Sequence, residues 1–81
     1  MATTIKDLDG NWQEIATAPN LSERREGSVR LHYGPAAPAA DAEAYHVLGD
    51  ETGSSLSYGG AEKTYARAHG ATARLVVTET A

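Results

Sequence analysis

A chain of 81 residues without cysteine predicts one small domain over residues 1–81, and it excludes a disulfide scaffold, a cysteine-ligated metal centre and a cysteine nucleophile. Seven basic residues against eleven acidic ones give a net charge of −4, which argues against a nucleic-acid-binding surface. Six Leu, two Ile, four Val and no Phe make a large-aliphatic content of about 15%, below the usual range for a self-sufficient core.

The first quarter of the chain predicts a polar segment, one strand and a charged connection. Residues 1–11 are mostly polar and end in an Asp-Gly-Asn turn signal. Residues 12–17 predict a strand, with Trp12 and Ile15 on opposite faces. Residues 20–27 are the most highly charged stretch, and we interpret them as a solvated loop or one helical turn.

The middle of the chain contains the clearest alternation of apolar and polar residues. Residues 28–33 predict a strand whose apolar face carries Val29, Leu31 and Tyr33. Residues 35–44 contain two prolines and mostly small side chains, so they predict a crossing loop rather than a regular helix. Two further short strands are predicted at 45–48 and 54–58.

The end of the chain predicts two more strands. Residues 61–69 have helix-favouring composition, but glycines confine them and a strong strand follows, so we interpret them as a strand. Residues 71–79 are rich in β-branched residues. One face of this last strand carries Ala73, Leu75 and Val77, and the other carries Val76. The two strands around Gly70 are expected to form a β-hairpin.

Together these elements predict an all-β fold. About five to six short strands with turns every 8–14 residues are typical of a small antiparallel β-sandwich or barrel. The alternation defines a single β domain with a short polar N-terminal segment.

No catalytic or cofactor-binding motif is present. His32, His46 and His69 are spread along the chain without metal-ligand spacing, and neither a GxSxG elbow nor a phosphate-binding loop occurs. We therefore expect no enzyme activity, no metal and no cofactor. No apolar run reaches the length of a membrane span, and the start lacks a signal-peptide pattern, so we expect assembly in the cytoplasm and no membrane partner.

The small supply of large apolar side chains predicts that the domain is stabilised by association. Without disulfides or a metal, burial against copies of itself or a larger assembly is the remaining source of stability. Val76 is a candidate contact because it lies opposite the core face of the last strand, beside the aliphatic stem of Arg74. Trp12 and Tyr65 complete the candidate interface, as large aromatic residues in a chain without Phe.

The ending of the chain resembles a known family. Residues 64–79, Thr-Tyr-Ala-Arg-Ala-His-Gly-Ala-Thr-Ala-Arg-Leu-Val-Val-Thr-Glu, resemble the ending of many small virion proteins of tailed bacteriophages. The early Trp strand and the Pro/Ala loop are similar in layout, whereas His69 and Arg74 stand where smaller or neutral residues are commoner. The family has no catalytic residues.

The resemblance implies a structural protein of the virion, assembled in the host cytoplasm. Its most specific form is a capsid decoration protein that contacts major capsid or tail proteins and forms a homo-oligomer, with a trimer favoured. The alternative is a tail or fibre accessory, or a module that binds host-surface glycans through its tyrosines.

Overall fold

A computed structural model describes residues 2–17, 19–39, 41–49 and 54–79. These residues form two four-stranded β-sheets. The strands are β1 (Ala2–Leu8), β2 (Gln13–Ala16), β3 (Asn20–Glu26), β4 (Val29–Gly34), β5 (His46–Leu48), β6 (Ser55–Tyr58), β7 (Lys63–Ala68) and β8 (Ala73–Glu79).

The two sheets pack as a small sandwich. The first sheet has the strand order β1-β8-β3-β6 and the second β2-β7-β4-β5, and every pairing between neighbours is antiparallel. The all-β antiparallel fold predicted from the sequence is confirmed. The strands expected at 28–33, 45–48, 54–58, 61–69 and 71–79 correspond to β4 to β8. Eight strands are present rather than five to six, because two segments taken as polar connections, those of β1 and β3, are also strands.

The core lies between the sheets and is built from alternating residues of the central strands. Leu31 and Val29 of β4 face Leu75 and Val77 of β8, and all four are essentially inaccessible to solvent. Ala66 and Ala68 of β7, the strand beside β4 in the second sheet, belong to the same buried cluster, and their small side chains let the sheets approach closely. The compact core therefore comes from interleaving large and small side chains rather than from many large ones.

The interpretation of residues 20–27 as a loop or helical turn is wrong. Residues 20–26 form β3, which pairs with β8 on one side and β6 on the other. Its pattern is inverted relative to an ordinary strand, because Asn20 and Ser22 face the core whereas Leu21 faces solvent. Hydrophobic alternation could not identify this strand, because polar residues occupy its buried positions.

The N-terminal segment is also structured. Residues 2–8, placed within the polar segment 1–11, form β1 and pair in unbroken register with β8, from Ala2 opposite Glu79 to Leu8 opposite Ala73. Leu8 is buried, but Thr3, Thr4, Ile5 and Asp7 are exposed and Lys6 is partly exposed. Because an edge strand has only one neighbour in its sheet, most of its residues can stay polar, and its sequence resembles that of a loop.

The expected hairpin around Gly70 is wrong. β7 and β8 lie in different sheets, so the chain crosses from the second sheet to the first between them. Ala66 and Ala68 of β7 and Leu75 of β8 then meet across the core instead of lying side by side. A turn signal between two strands cannot distinguish these arrangements, because both reverse the chain direction.

Trp12 and Ile15 lie on opposite sides of the second sheet, as predicted, and a bulge in β2 adds Ala16 to the buried side. The register with β7 shifts between Glu14 and Ala16, so that Ile15 and Ala16 are both buried although they are adjacent. Trp12 precedes the strand and lies outside the core. The bulge places one more apolar side chain in the interior than strict alternation allows.

Gly27, between β3 and β4, is expected to tolerate no side chain. Its φ is 68°, and a Cβ would lie 2.7 Å from the carbonyl oxygen of Thr72. We therefore expect Gly27→Ala to lower the free energy of unfolding by about 1–3 kcal/mol, since strain and a backbone clash add. Gly70→Ala is the matched control, because a Cβ there meets no atom within 4 Å. Equal melting temperatures for the two variants would contradict the expectation.

Candidate interaction surfaces

The outer face of the first sheet carries an exposed apolar stripe, formed by Ile5, Val76 and Leu21. Ile5 of β1 lies directly opposite Val76 of β8. Leu21 of β3 lies directly opposite Thr78, two residues along β8 from Val76, so Leu21 and Val76 are diagonal neighbours on the same face. Ile5 is 62% exposed and Leu21 43%. They are the exposed large hydrophobic residues in the described part of the chain, and they lie on the same face. Such clustering is characteristic of a contact surface rather than of scattered surface residues.

Charged residues flank one end of the apolar stripe. Arg74 Nε donates a hydrogen bond to Asp7 Oδ1 at 2.8 Å across the β1–β8 pair. This hydrogen bond and the charges of Asp7 and Glu26 raise the pKa of the Arg74 guanidinium. Because the pair is exposed, it contributes little to folding stability, but it fixes the orientation of two charges beside the stripe. A partner that covers the stripe would meet these charges at its rim.

The outer face of the second sheet carries an aromatic–arginine cluster, formed by Trp12, His32, Tyr45, Arg30 and Arg67. The Trp12 ring lies 6.1 Å from the His32 ring and 6.3 Å from the Tyr45 ring, measured between centroids. Arg67 lies over Trp12 at 5.8 Å, and Arg30 over Tyr45 at 4.7 Å. Trp12 Nε1 is buried without a hydrogen-bond partner among the described residues. These contacts cover the sheet with the chain's own side chains.

The residues predicted as one interface lie on two different faces. Arg74 and Val76 are on the outer face of the first sheet, whereas Trp12 belongs to the cluster on the second. Tyr65 points to the same side as Trp12, between Glu14 and His32 of the neighbouring strands. It keeps only 6% of its surface exposed, so little of its side chain is available to a partner.

Ile5 and Leu21 were missed as candidates. Each stands alone between polar residues, in segments interpreted as polar. Only the strand register brings them next to Val76. The sequence feature that could have pointed to this face is Val76, because it indicated that the outer face of the last strand is partly apolar.

Two tyrosines close one end of the sandwich. Tyr33 of β4 stacks on Tyr58 of β6 with a centroid distance of 3.9 Å and an interplanar angle of 13°, so the pair joins the second sheet to the first. The Tyr33 hydroxyl is buried and has no hydrogen-bond partner among residues that the structure describes. Burial, with a smaller effect of Tyr58, raises the pKa of Tyr33 from 10.0 to about 12.

This raised pKa predicts a loss of stability at high pH. Between pH 10 and about pH 12 the folded chain retains the Tyr33 proton that the unfolded chain has lost, so the free energy of unfolding falls as pH rises through that range. Below pH 10 the contribution is constant. We expect Tyr33→Phe to make the loss shallower in denaturant titrations at a series of pH values. Parallel curves for wild type and Tyr33→Phe would contradict this.

The three histidines make separate contacts. His32 Nδ1 lies 2.7 Å from the carbonyl oxygen of Ala44, His69 Nδ1 accepts a hydrogen bond from Arg30 Nε at 2.9 Å, and the His46 ring lies 6.0 Å from that of Tyr33. Within the described ranges, no group of three or more His, Asp or Glu side chains is placed to hold a metal ion.

The residues that the structure describes include no helix long and apolar enough to cross a membrane.

Comparison with known proteins found no relative. No family model matches the chain, and neither the curated proteins nor the solved structures include a match.

Proposed function

We propose that this chain is a non-catalytic structural protein of a tailed-phage virion, a decoration protein that attaches to the particle by the outer face of its first sheet. The observation that carries the proposal is the apolar stripe of Ile5, Val76 and Leu21. The ending of the sequence, with its resemblance to small virion proteins, supplies the class of particle.

The stripe is suited to a permanent contact. Fully burying a large aliphatic side chain contributes about 1.5–3 kcal/mol, and two of the three residues are largely exposed in the isolated chain. A domain with so few large apolar residues leaves these outside its own core. Binding to an assembled particle would cover them and would stabilise the folded domain by mass action.

The glycan-binding alternative has less support. A binding platform needs open aromatic faces, but Tyr33 and Tyr58 stack on each other, and Tyr45 has Arg30 over its ring. A groove of about 400 Å³ lies between β4 and the segment before β5. Tyr33 and Tyr45 line this groove, yet both already contact the residues just named.

The test is binding to purified particles that lack this chain. Val76→Asp is expected to remain folded but to bind particles less tightly, because the interface would bury a carboxylate without a partner. The expected cost is at least about 2 kcal/mol of binding free energy, which is roughly a thirtyfold loss of affinity. Ala61→Asp, at an exposed bend between β6 and β7, is the charge-matched control. Equal binding of both variants would overturn the proposed contact.

A mass-spectrometric count separates the two virion roles. A decoration protein should approach the copy number of the main shell protein, whereas a tail or fibre accessory should be far rarer. Absence of the chain from purified particles would overturn the virion role altogether.

A further inference from the structure

Strand β1 is an unusually open edge. It pairs with β8 along one side, and no described strand lies on its other side. The other three edge strands, β2, β5 and β6, have four, three and four residues, and β2 is also bulged. β1 has seven residues in regular register without proline. Long, regular edges of this kind are templates for pairing with another strand.

The hydrogen bonds show which backbone groups of β1 face the open side. Gln13 Nε2, from the second sheet, donates to the carbonyl oxygen of Asp7, so this carbonyl points away from β8. The hydroxyls of Thr3 and Thr78 approach to 2.8 Å, as expected for a cross-strand pair that exchanges no backbone bonds. Because the pattern alternates, the N–H and C=O groups of Thr3, Ile5 and Asp7 all point to the open edge.

We propose that β1 pairs antiparallel with β1 of a second copy of this chain, about a two-fold axis at Ile5. In this register Ile5 exchanges both of its backbone hydrogen bonds with Ile5 of the second copy, and Thr3 does so with Asp7. Thr3 N–H then replaces the Gln13 amide as donor to the Asp7 carbonyl. The two first sheets become one continuous eight-stranded sheet, four strands from each copy.

The side chains favour the register centred on Ile5 over registers centred on adjacent residues of β1. Pairing centred on Ile5 places Lys6 opposite Thr4 and Asp7 opposite Thr3, so no like charges face each other. A shift by one position toward the C-terminus places the two Lys6 side chains opposite each other, and a further shift does the same for Asp7. Like charges directly opposite are destabilising. A register centred on Thr4 also avoids like charges but leaves Asp7 outside the described paired strand.

The pairing also covers the most exposed large hydrophobic residue. Ile5, at 62% exposure, would lie beside Ile5 of the second copy on the same face of the sheet. The two apolar stripes would then join across the axis, from Leu21 of one copy to Leu21 of the other. Lys6 points to the opposite face and is partly exposed, so its ammonium can remain in water beside Thr4.

This inference goes beyond the proposed function, because it concerns the purified chain alone. A two-fold edge contact predicts a dimer, whereas the resemblance to virion proteins favours a trimer. Light scattering over a range of concentrations is expected to approach twice the 8.5 kDa mass of one chain. A trimer, or a monomer at the highest concentration, would overturn the pairing without affecting particle binding through the stripe.

Single cysteines can test the register, because the natural chain has none. Ile5→Cys should form a covalent dimer under mild oxidation, since directly opposite Cα atoms are about 5.5 Å apart and within disulfide range. Thr3→Cys should not, because its equivalent would be four residues further along the partner strand, about 13 Å away. Efficient linking by Thr3→Cys or Leu21→Cys, with none by Ile5→Cys, would overturn the pairing.

A charge test avoids any change at the core. Ile5→Lys would place two ammonium groups opposite each other, and because the side chain is exposed the variant should fold. We expect its mass to fall to that of one chain. Leu21→Lys, on the same face but two strands from the edge, should remain a dimer. Loss of the dimer in Leu21→Lys but not in Ile5→Lys would overturn the pairing and locate the contact at the Leu21 end of the apolar stripe, away from β1.

Discussion

Replacing Leu75 by aspartate is expected to abolish the folded state, whereas the same change at the adjacent Val76 should leave it intact. Leu75 is completely buried between the sheets. Truncating such a leucine costs about 2–5 kcal/mol, and burying an unpaired carboxylate adds several more. Small domains have a total free energy of unfolding of about 5–15 kcal/mol, so the combined cost removes most or all of it.

Circular dichroism and thermal melting of the two variants measure this contrast directly. Val76 points to the outer face, where a carboxylate stays in water. Glu23 lies directly opposite it, and like charges opposite each other are destabilising, so Val76→Asp should melt cooperatively but somewhat below the wild-type temperature. A cooperative, wild-type-like melt of Leu75→Asp would show that the faces of β8 are assigned wrongly. Unfolding of Val76→Asp would show that the isolated domain needs the apolar stripe for its own stability.

The second large effect is expected at Asn20, a buried polar residue that links the two sheets. Asn20 Nδ2 donates to Thr64 Oγ1 at 2.9 Å, and Ser22 Oγ donates to Asn20 Oδ1 at 3.1 Å. All three residues are buried. Asn20→Ala leaves two hydroxyl groups in the core without these partners, which costs about 2–3 kcal/mol. For a domain of this size the melting temperature should fall by roughly 10–20 °C.

A double-mutant cycle separates the network from simple loss of packing. Thr64→Val removes the hydroxyl that Asn20→Ala would leave without this partner, so the double variant should be more stable than the sum of the single effects predicts. Ser22→Ala should cost less than Asn20→Ala, because Asn20 then keeps its bond to Thr64. Strict additivity of Asn20→Ala and Thr64→Val would contradict a shared network.

Hydrophobic alternation was sufficient in β4 and β8, where the buried residues are apolar and most of the residues between them are polar. In β4 the apolar residues Val29 and Leu31 alternate with Arg30 and His32, and these four take the predicted faces. In β8 the core residues Leu75 and Val77 were likewise predicted. The pattern works there because the side-chain period of a strand is two and its burial follows the same period.

The candidate site was only partly predictable. Val76 was identified because an apolar residue on the second face of a strand is anomalous. Ile5 and Leu21 could not be identified, since each becomes part of a stripe only through pairing with β8, more than fifty positions away in the chain. Trp12 and Tyr65 were grouped with Val76 by residue type, but type alone does not specify a face.

The sequence by itself determined the all-β class, the positions of six strands, β2 and β4 to β8, and the faces of β4 and β8, because these follow from local periodicity and turn residues. Only the tertiary structure decided that β3 buries Asn20 and Ser22, that β7 and β8 belong to different sheets, and that β1 is an open edge. The physical reason is that a buried polar pair, a sheet crossing and an edge are each defined by contacts between distant segments. Such contacts leave no repeat in the local sequence, since a polar residue at a core position is stabilised by its partner in the other sheet rather than by its neighbours along the chain.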